Sequence, residues 1–292
     1  MIAGGSGPDA IIGDWGSSRL RLWRLQGGDV AARREAAGAL QTDDHATLLR
    51  DTIDDWTETR IMLCGMAGAR GALREVPYVA CPASPGEWRR GAADFAIAGY
   101  DVRIAAGLSL DRDGRPDVMR GEETQVFGAM ALNPALAEGR HVIVLPGTHS
   151  KWVYLQSGQI AHFRTFMTGE LFALLAGSSL VRGSEAGGNV DEGFVEGLSR
   201  AGKRAALSAA LFEARAAQLV SERTGAWARG FVSGLLIGSE IAEAAPDGPV
   251  LVIGAPELAG RYSEALAGLG ADVHRMDDEA CAIAGLRSLD DD

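Results

Sequence analysis

One feature constrains the fold of this 292-residue chain more than any other. The apolar run AIIGD (10–14) ends on an acid, turns through Gly16-Ser17-Ser18, and returns as the strand-patterned RLRLW, with no helix between. The common nucleotide-binding folds place a helix directly after such a loop. The sequence G-x-x-x-x-G-K-[ST] occurs nowhere, and G-x-G-x-x-G fails because strand follows Asp14. A loop of Gly and Ser brings backbone N–H groups and hydroxyls close to a bound anion. Asp14 repels phosphate unless a cation intervenes, so the pair points to a magnesium–phosphate site. A plain hairpin turn accounts for the same residues.

A second strand, loop and strand lies in HVIVLPGTHSKWVYL (141–155), where Gly147, Thr148, Ser150 and Lys151 repeat the small-residue character. The adjacent His149-Ser150 does not read as a hydrolase pair: sequence neighbours on a turn seldom face each other, and no orienting acid accompanies them. In VLVIGAPELAGRY (250–262), Gly254 and Ala255 join a strand to a helix opened by Pro256. That is an ordinary α/β connection, or the far wall of an adenosine pocket. In MRGEETQ (119–125), Glu122 and Glu123 open a helix. The helix dipole alone favours acids there, and a carboxylate so held is also a candidate base for a hydroxyl proton.

Further strands are expected at 60–68, at 102–110 as one run, at 159–166 and at 271–274. Helices are expected at 45–57, at 119–132 with Val126, Phe127, Met130 and Ala131 on one face, and over most of 167–245. The polar stretch 111–117 and Asn133-Pro134 are breaks, and a domain boundary is placed near residue 135. This divides the chain into 1–135 and 136–292. A net charge of −11 argues against nucleic acid and anionic membranes as partners. Cys64, Cys81 and Cys281 form neither a disulfide framework nor a zinc pattern. The opening MIAGGSGPD lacks a signal-peptide pattern, and no apolar run is of membrane-spanning length, so a cytoplasmic protein is expected.

Together, DWGSSRLRLW, CGMAGARG, MRGEETQVFGA, LPGTHSKW, MTGELFALL and VIGAPELAGRY resemble, in order, the 2-dehydro-3-deoxygalactonokinase family. The resemblance implies an α/β fold of two ribonuclease H-like, actin-type ATPase domains flanking a nucleotide-binding cleft. It implies transfer of the ATP γ-phosphate to the 6-hydroxyl of 2-dehydro-3-deoxy-D-galactonate, with ATP and Mg2+ as cofactors and a small sugar acid as substrate. A homo-oligomer is compatible with it. Under this resemblance Asp14 holds magnesium, and Gly16, Ser17 and Ser18 line the phosphate path. Gly147, Thr148, His149, Ser150 and Lys151 form the second phosphate turn, and Gly254 and Ala255 border adenosine. The match of GEETQVFGA to the catalytic segment of the glycerol kinase group puts Glu122 at the base position, with Glu123 its rival. In AGARGALREVPY, Ala69 and Leu73 depart from the Ser and Gly-Trp of relatives. Arg70 is left as the candidate for the substrate carboxylate, with Arg19, Arg164 and Arg74 as competitors. Two other readings are a kinase of a different sugar or 2-keto-3-deoxy acid, and a non-catalytic sugar-acid sensor.

Overall fold

The first strand, loop and strand form a β-hairpin in a computed structural model, which describes residues 9–178, 181, 189–203 and 206–290. The opening residues 1–8, where no signal-peptide pattern is found, lie outside the described residues. The chain divides into two compact units. One comprises Met1–Arg140, Tyr154–Phe163 and Met276–Asp292; the other comprises His141–Val153 and Arg164–Arg275. The C-terminal residues Met276–Asp292 group with the first unit.

In the first unit β1 (Ala10–Trp15), β2 (Arg19–Gln26) and β3 (Asp29–Ala37) run antiparallel. β1 is central, so Ile11, Ile12 and Trp15 are wholly buried and its sequence is apolar on both faces. The alternation of β2 slips where Leu22 and Trp23 are both buried, and its register with β3 shifts between Arg24 and Leu25. The helix expected at 45–57 is shorter: α1 (His45–Thr52) starts where the Asp44 carboxylate accepts from the Thr47 N–H. β4 (Arg60–Gly65) lies parallel to β1. There follow β5 (Val79–Ala80), α2 (Pro85–Arg90) behind a Ser84/Glu87 capping box, β6 (Ala93–Ile97) and β7 (Tyr100–Ile104). The hydrogen-bonded order is β3-β2-β1-β4-β7-β6.

The run 102–110 is not one strand. It splits into β7 and β8 (Leu108–Arg112), and β8 joins β5 and β9 (Arg115–Met119) in a separate three-stranded sheet. Apolar residues continue through the break because Ala105, Ala106 and Leu108 are all core, so hydropathy does not mark it. α3 (Glu122–Leu132) also differs from the expected single apolar face. It is buried almost all round from Glu123 to Met130, while Ala131 is exposed. The cause is the last helix, Asp278–Arg287, which packs on α3 so closely that a Cβ on Gly128 would strike the Cys281 carbonyl.

The chain continues with β10 (Arg140–Leu145), β11 (Ser150–Gln156), β12 (Gln159–Phe166), α4 (Thr168–Ala176), α5 (Val190–Gly202), α6 (Leu207–Val220) and α7 (Gly225–Ala244). β13 (Val250–Ile253), α8 (Pro256–Gly268), β14 (Val273–Met276) and α9 (Asp278–Arg287) complete it. The second sheet has the order β12-β11-β10-β13-β14, with β10 parallel to β13. In both sheets the leading strand of the hairpin sits between its returning partner and a later parallel strand. The helical core of the second unit gathers Trp227, Phe231, Leu235 and Leu236 of α7 with Ala210 and Ala214 of α6.

Candidate active site

The residues singled out in the sequence fall into two groups, one in each unit. In the first unit Asp14 lies opposite Arg21 on β2 and opposite Cys64 on β4. Its Oδ2 accepts from Arg21 Nη2 at 2.7 Å, and Arg21 Nη1 donates to Asp278 Oδ2 at 2.9 Å. Burial works against the Arg21 charge, but the two carboxylates outweigh it and raise its pKa above the ordinary arginine value. Asp14 is therefore pinned by a cation that carries a second acid, a role for Arg21 and Asp278 absent from the sequence reading.

The other oxygen, Oδ1, accepts a weak hydrogen bond from the Cys64 thiol at 3.6 Å and otherwise borders backbone. Gly65 and Gly121 have φ of +71° and +115°, which favours glycine at both positions. A Cβ on Gly65 would come 3.4 Å from Asp14 Oδ1, and one on Gly121 would lie 3.3 Å from the Gly65 Cα. DWGSS, CGMAG and RGEET thus meet at Asp14 through two side-chain-free residues. The cradle at Oδ1 fits a hydrated magnesium ion, which binds through few carboxylates and retains water and phosphate ligands. Among the described residues no set of three His, Cys, Asp or Glu is disposed to hold a metal.

The loop after Asp14 is held through its carbonyls. Ala39 N–H donates to Gly16 O at 3.0 Å and Leu40 N–H to Ser17 O at 3.1 Å, while Gly16 N–H closes the turn onto Arg19 O. Ser18 is exposed and Ser17 half-buried.

At the start of α3 the two acids differ. Glu122 is half-buried, and its Oε2 accepts from the Arg120 N–H at 3.1 Å. Glu123 is fully buried; both its oxygens accept from the Gly121 N–H, at 2.9 and 2.8 Å, and Oε1 also accepts from the Thr124 hydroxyl. Burial, reinforced by the neighbouring Glu122 charge, pushes the Glu123 pKa up to about 8. Arg120, which sequence reasoning passed over, donates to Val76 O at 2.8 Å and stacks 4.2 Å from the Tyr78 ring centre, tying the 66–78 segment to this turn.

The arginine candidates are dispersed. Arg70 is 89% exposed on the turn after Gly68, with a 3.4 Å contact to Glu75. Arg19 pairs with Glu35 across the edge of the sheet, and Arg74 lies over Phe95. Arg164 is in the second unit, paired with Glu243 at 2.6 Å.

In the second unit the loop after β10 has Gly147 half-buried and Thr148 and His149 exposed. His149 Nε2 lies 2.6 Å from Glu170 Oε2, and the Glu170 N–H donates to Thr148 O at 2.9 Å. Gly169 abuts the loop so closely that a Cβ there would strike the Gly147 carbonyl. MTGELF is therefore the brace behind LPGTHSKW. The Ser150 and Lys151 side chains turn inward. Ser150 Oγ lies 2.8 Å from the Tyr262 hydroxyl, and Lys151 Nζ donates to Thr165 Oγ1 at 3.0 Å. Gly147 and Ala255 line one cavity of about 470 Å³, with Phe172, Val190 and Leu258 among its apolar walls and Ser233, Arg229, Glu257, Arg261, Thr168 and Tyr262 as its polar groups. Gly254 is not among the residues lining it and packs against Pro146.

Each of the two larger sheets opens on a β-hairpin with a small-residue loop, an acid at the first and a largely apolar cavity at the second, in an α/β fold of the actin-type ATPase kind. An activator of 2-hydroxyisocaproyl-CoA dehydratase from Clostridium difficile, solved with bound ADPNP, shares the fold with a TM-score of 0.51 at 10% identity, covering 97% of this chain and 95% of that one. The chain belongs to the 2-keto-3-deoxy-galactonokinase family, whose model matches residues 14–289. The 2-dehydro-3-deoxygalactonokinase of Escherichia coli K12 is 36% identical over 94% of this chain and 95% of its own length. A Sinorhizobium meliloti protein assigned the same activity has a crystal structure that superposes with a TM-score of 0.88 at 37% identity, covering 96% of this chain and 95% of that one. Among the described residues no helix is long and apolar enough to cross a membrane.

Proposed function

We propose that the chain transfers the γ-phosphate of ATP to the 6-hydroxyl of 2-dehydro-3-deoxy-D-galactonate, acting in the cytoplasm with Mg2+. The observation that carries this reading is the meeting of Asp14, Gly65 and Gly121 at the head of α3, with Glu122 on the next residue. It gathers a metal-facing carboxylate and a candidate base from separate segments of the family pattern. Asp14 would hold magnesium, which would supply charge neutralisation for the phosphates.

The chain's own groups have distinct tasks. Arg21 fixes the Asp14 rotamer, so Oδ1 is presented without reorganisation. Glu122, still partly open, accepts the proton of the attacking hydroxyl, whereas Glu123 is sealed and holds the Gly121 N–H in place. Ser17, Ser18, Thr148 and His149 are the accessible groups of the two phosphate turns, while Ser150 and Lys151 brace the second turn from behind. The cavity at Gly147 and Ala255 receives adenosine, its apolar walls covering the purine. Arg70 reaches the sugar-acid carboxylate, because an exposed contact to Glu75 is readily exchanged for a two-pronged one.

The test is product identification by mass spectrometry and phosphorus NMR after incubation with MgATP and the sugar acid. A 6-phosphorylated 2-dehydro-3-deoxy-galactonate together with ADP is expected. An unmodified acid in the presence of demonstrable binding would point instead to a sensor.

A further inference from the structure

Burying a carboxylate in an apolar helix face is costly unless donors surround it. Glu240 is 3% exposed on α7, among Leu236, Ile237 and Ile241. Its Oε1 accepts from Trp152 Nε1 at 2.7 Å and its Oε2 from the Tyr262 hydroxyl at 2.8 Å, with the Thr168 hydroxyl as a further donor. Because Tyr262 spends its proton on Glu240, the Ser150 hydroxyl donates to the tyrosine oxygen at 2.8 Å. The partners belong to β11, α4 and α8. Ser150 ends the second phosphate turn, and Thr168 precedes the glycine that presses on Gly147. Tyr262 and Thr168 also line the 470 Å³ cavity.

We propose that Glu240 is a positioning residue for nucleotide binding, which sets the second phosphate turn and the adenosine cavity in register through Tyr262, Ser150 and Thr168. This rests on the assignment of that cavity to adenosine. An apolar side chain of similar volume would serve packing equally well. What the carboxylate adds is direction: two fixed acceptors that orient donors on three separate elements. The nucleotide then meets a preformed wall and does not have to order it.

The experiment uses the full-length chain and Tyr262→Phe, which deletes one hydroxyl and keeps the ring, beside Glu240→Gln and Glu240→Leu. KM for ATP and for the sugar acid, kcat, ADP affinity by calorimetry and melting temperature are measured for each. Tyr262→Phe is expected to weaken ADP and raise KM for ATP about tenfold, the effect of one lost charge-assisted hydrogen bond, with KM for the sugar acid unchanged. Glu240→Gln keeps one acceptor and falls between wild type and Glu240→Leu. Lowered melting temperatures with unaltered nucleotide constants would overturn the proposal and leave Glu240 a packing residue. Ala255→Trp, which fills the cavity, separates the two levels. If it abolishes ADP binding while Tyr262→Phe has no effect, only the role of Glu240 fails. If ADP still binds normally to Ala255→Trp, the cavity assignment fails and the proposal with it.

Discussion

Asp14 and Arg21 face each other across β1 and β2 as a cross-strand pair, with 2.7 Å between the carboxylate and the guanidinium. The same guanidinium reaches Asp278 at the N-terminus of α9, 257 residues further along the chain. One cation thus orients Asp14, the acid proposed to face magnesium, and fastens the closing helix of the unit. Replacing it leaves two partly buried acids without a counter-charge. Arg21→Met is expected to lower unfolding free energy by about 3 kcal/mol in chemical denaturation. Asp14→Asn instead removes the metal-facing charge, and turnover is expected to fall about 10²–10³-fold while the fold persists.

The two acids at the head of α3 are separable by kinetics. Glu122→Gln is expected to reduce kcat about 10²–10⁴-fold, the range for a general base, with ATP affinity largely retained. Near-normal turnover in that variant would transfer the role to Glu123.

Glu123 has a different signature, in stability. Its folded pKa is raised from 4.5 to about 8, so between those values the folded chain keeps a proton that the unfolded chain has released. Stability therefore falls as pH rises through that window. Glu123→Gln removes this contribution, and its denaturation free energy is expected to be flatter from pH 5 to pH 8 by on the order of 3 kcal/mol. Parallel curves for wild type and variant would contradict the burial argument.

Gly169 has no room for a side chain beside Gly147. Gly169→Ala must displace the loop after β10, the proposed second phosphate turn, and KM for ATP is expected to rise about tenfold while KM for the sugar acid holds, as a steric shift worth about 1–2 kcal/mol would give.

Arg70 makes its mark on substrate alone. Being 89% exposed, it contributes little to stability, and Arg70→Met should melt within a degree or two of wild type. KM for the sugar acid is expected to rise about 10–100-fold, the worth of a hydrogen-bonded charge pair.

Much of this arrangement was legible in the residues. Both hairpins show because their leading strands carry an apolar run, Ala10–Gly13 and Val142–Leu145, ahead of a loop of Gly, Ser or Thr, a pattern that burial of a central strand imposes. The tie between MTGELF and LPGTHSKW was visible only as family resemblance; its physical cause is the press of Gly169 on Gly147, which no periodicity reveals. Arg21 was hidden inside an alternating RLRL strand, since nothing local marks a side chain whose second partner is Asp278. Glu240 lies in GLLIGSEIAEA, where an acid among apolar helix residues reads as solvent-facing until the fold supplies Trp152 and Tyr262. The strand break at Gly107 was concealed by unbroken hydropathy, because the chain leaves one sheet for another without leaving the core.

The most direct test is ADP release measured with saturating MgATP over a panel of acceptors: 2-dehydro-3-deoxy-D-galactonate, other 2-keto-3-deoxy acids and free sugars. The galactonate derivative is expected to give the highest kcat/KM, with ADP formation dependent on magnesium and strongly reduced in Glu122→Gln. A higher kcat/KM for another acceptor would reassign the substrate. Acid binding without magnesium-dependent ADP formation would contradict the kinase reading altogether.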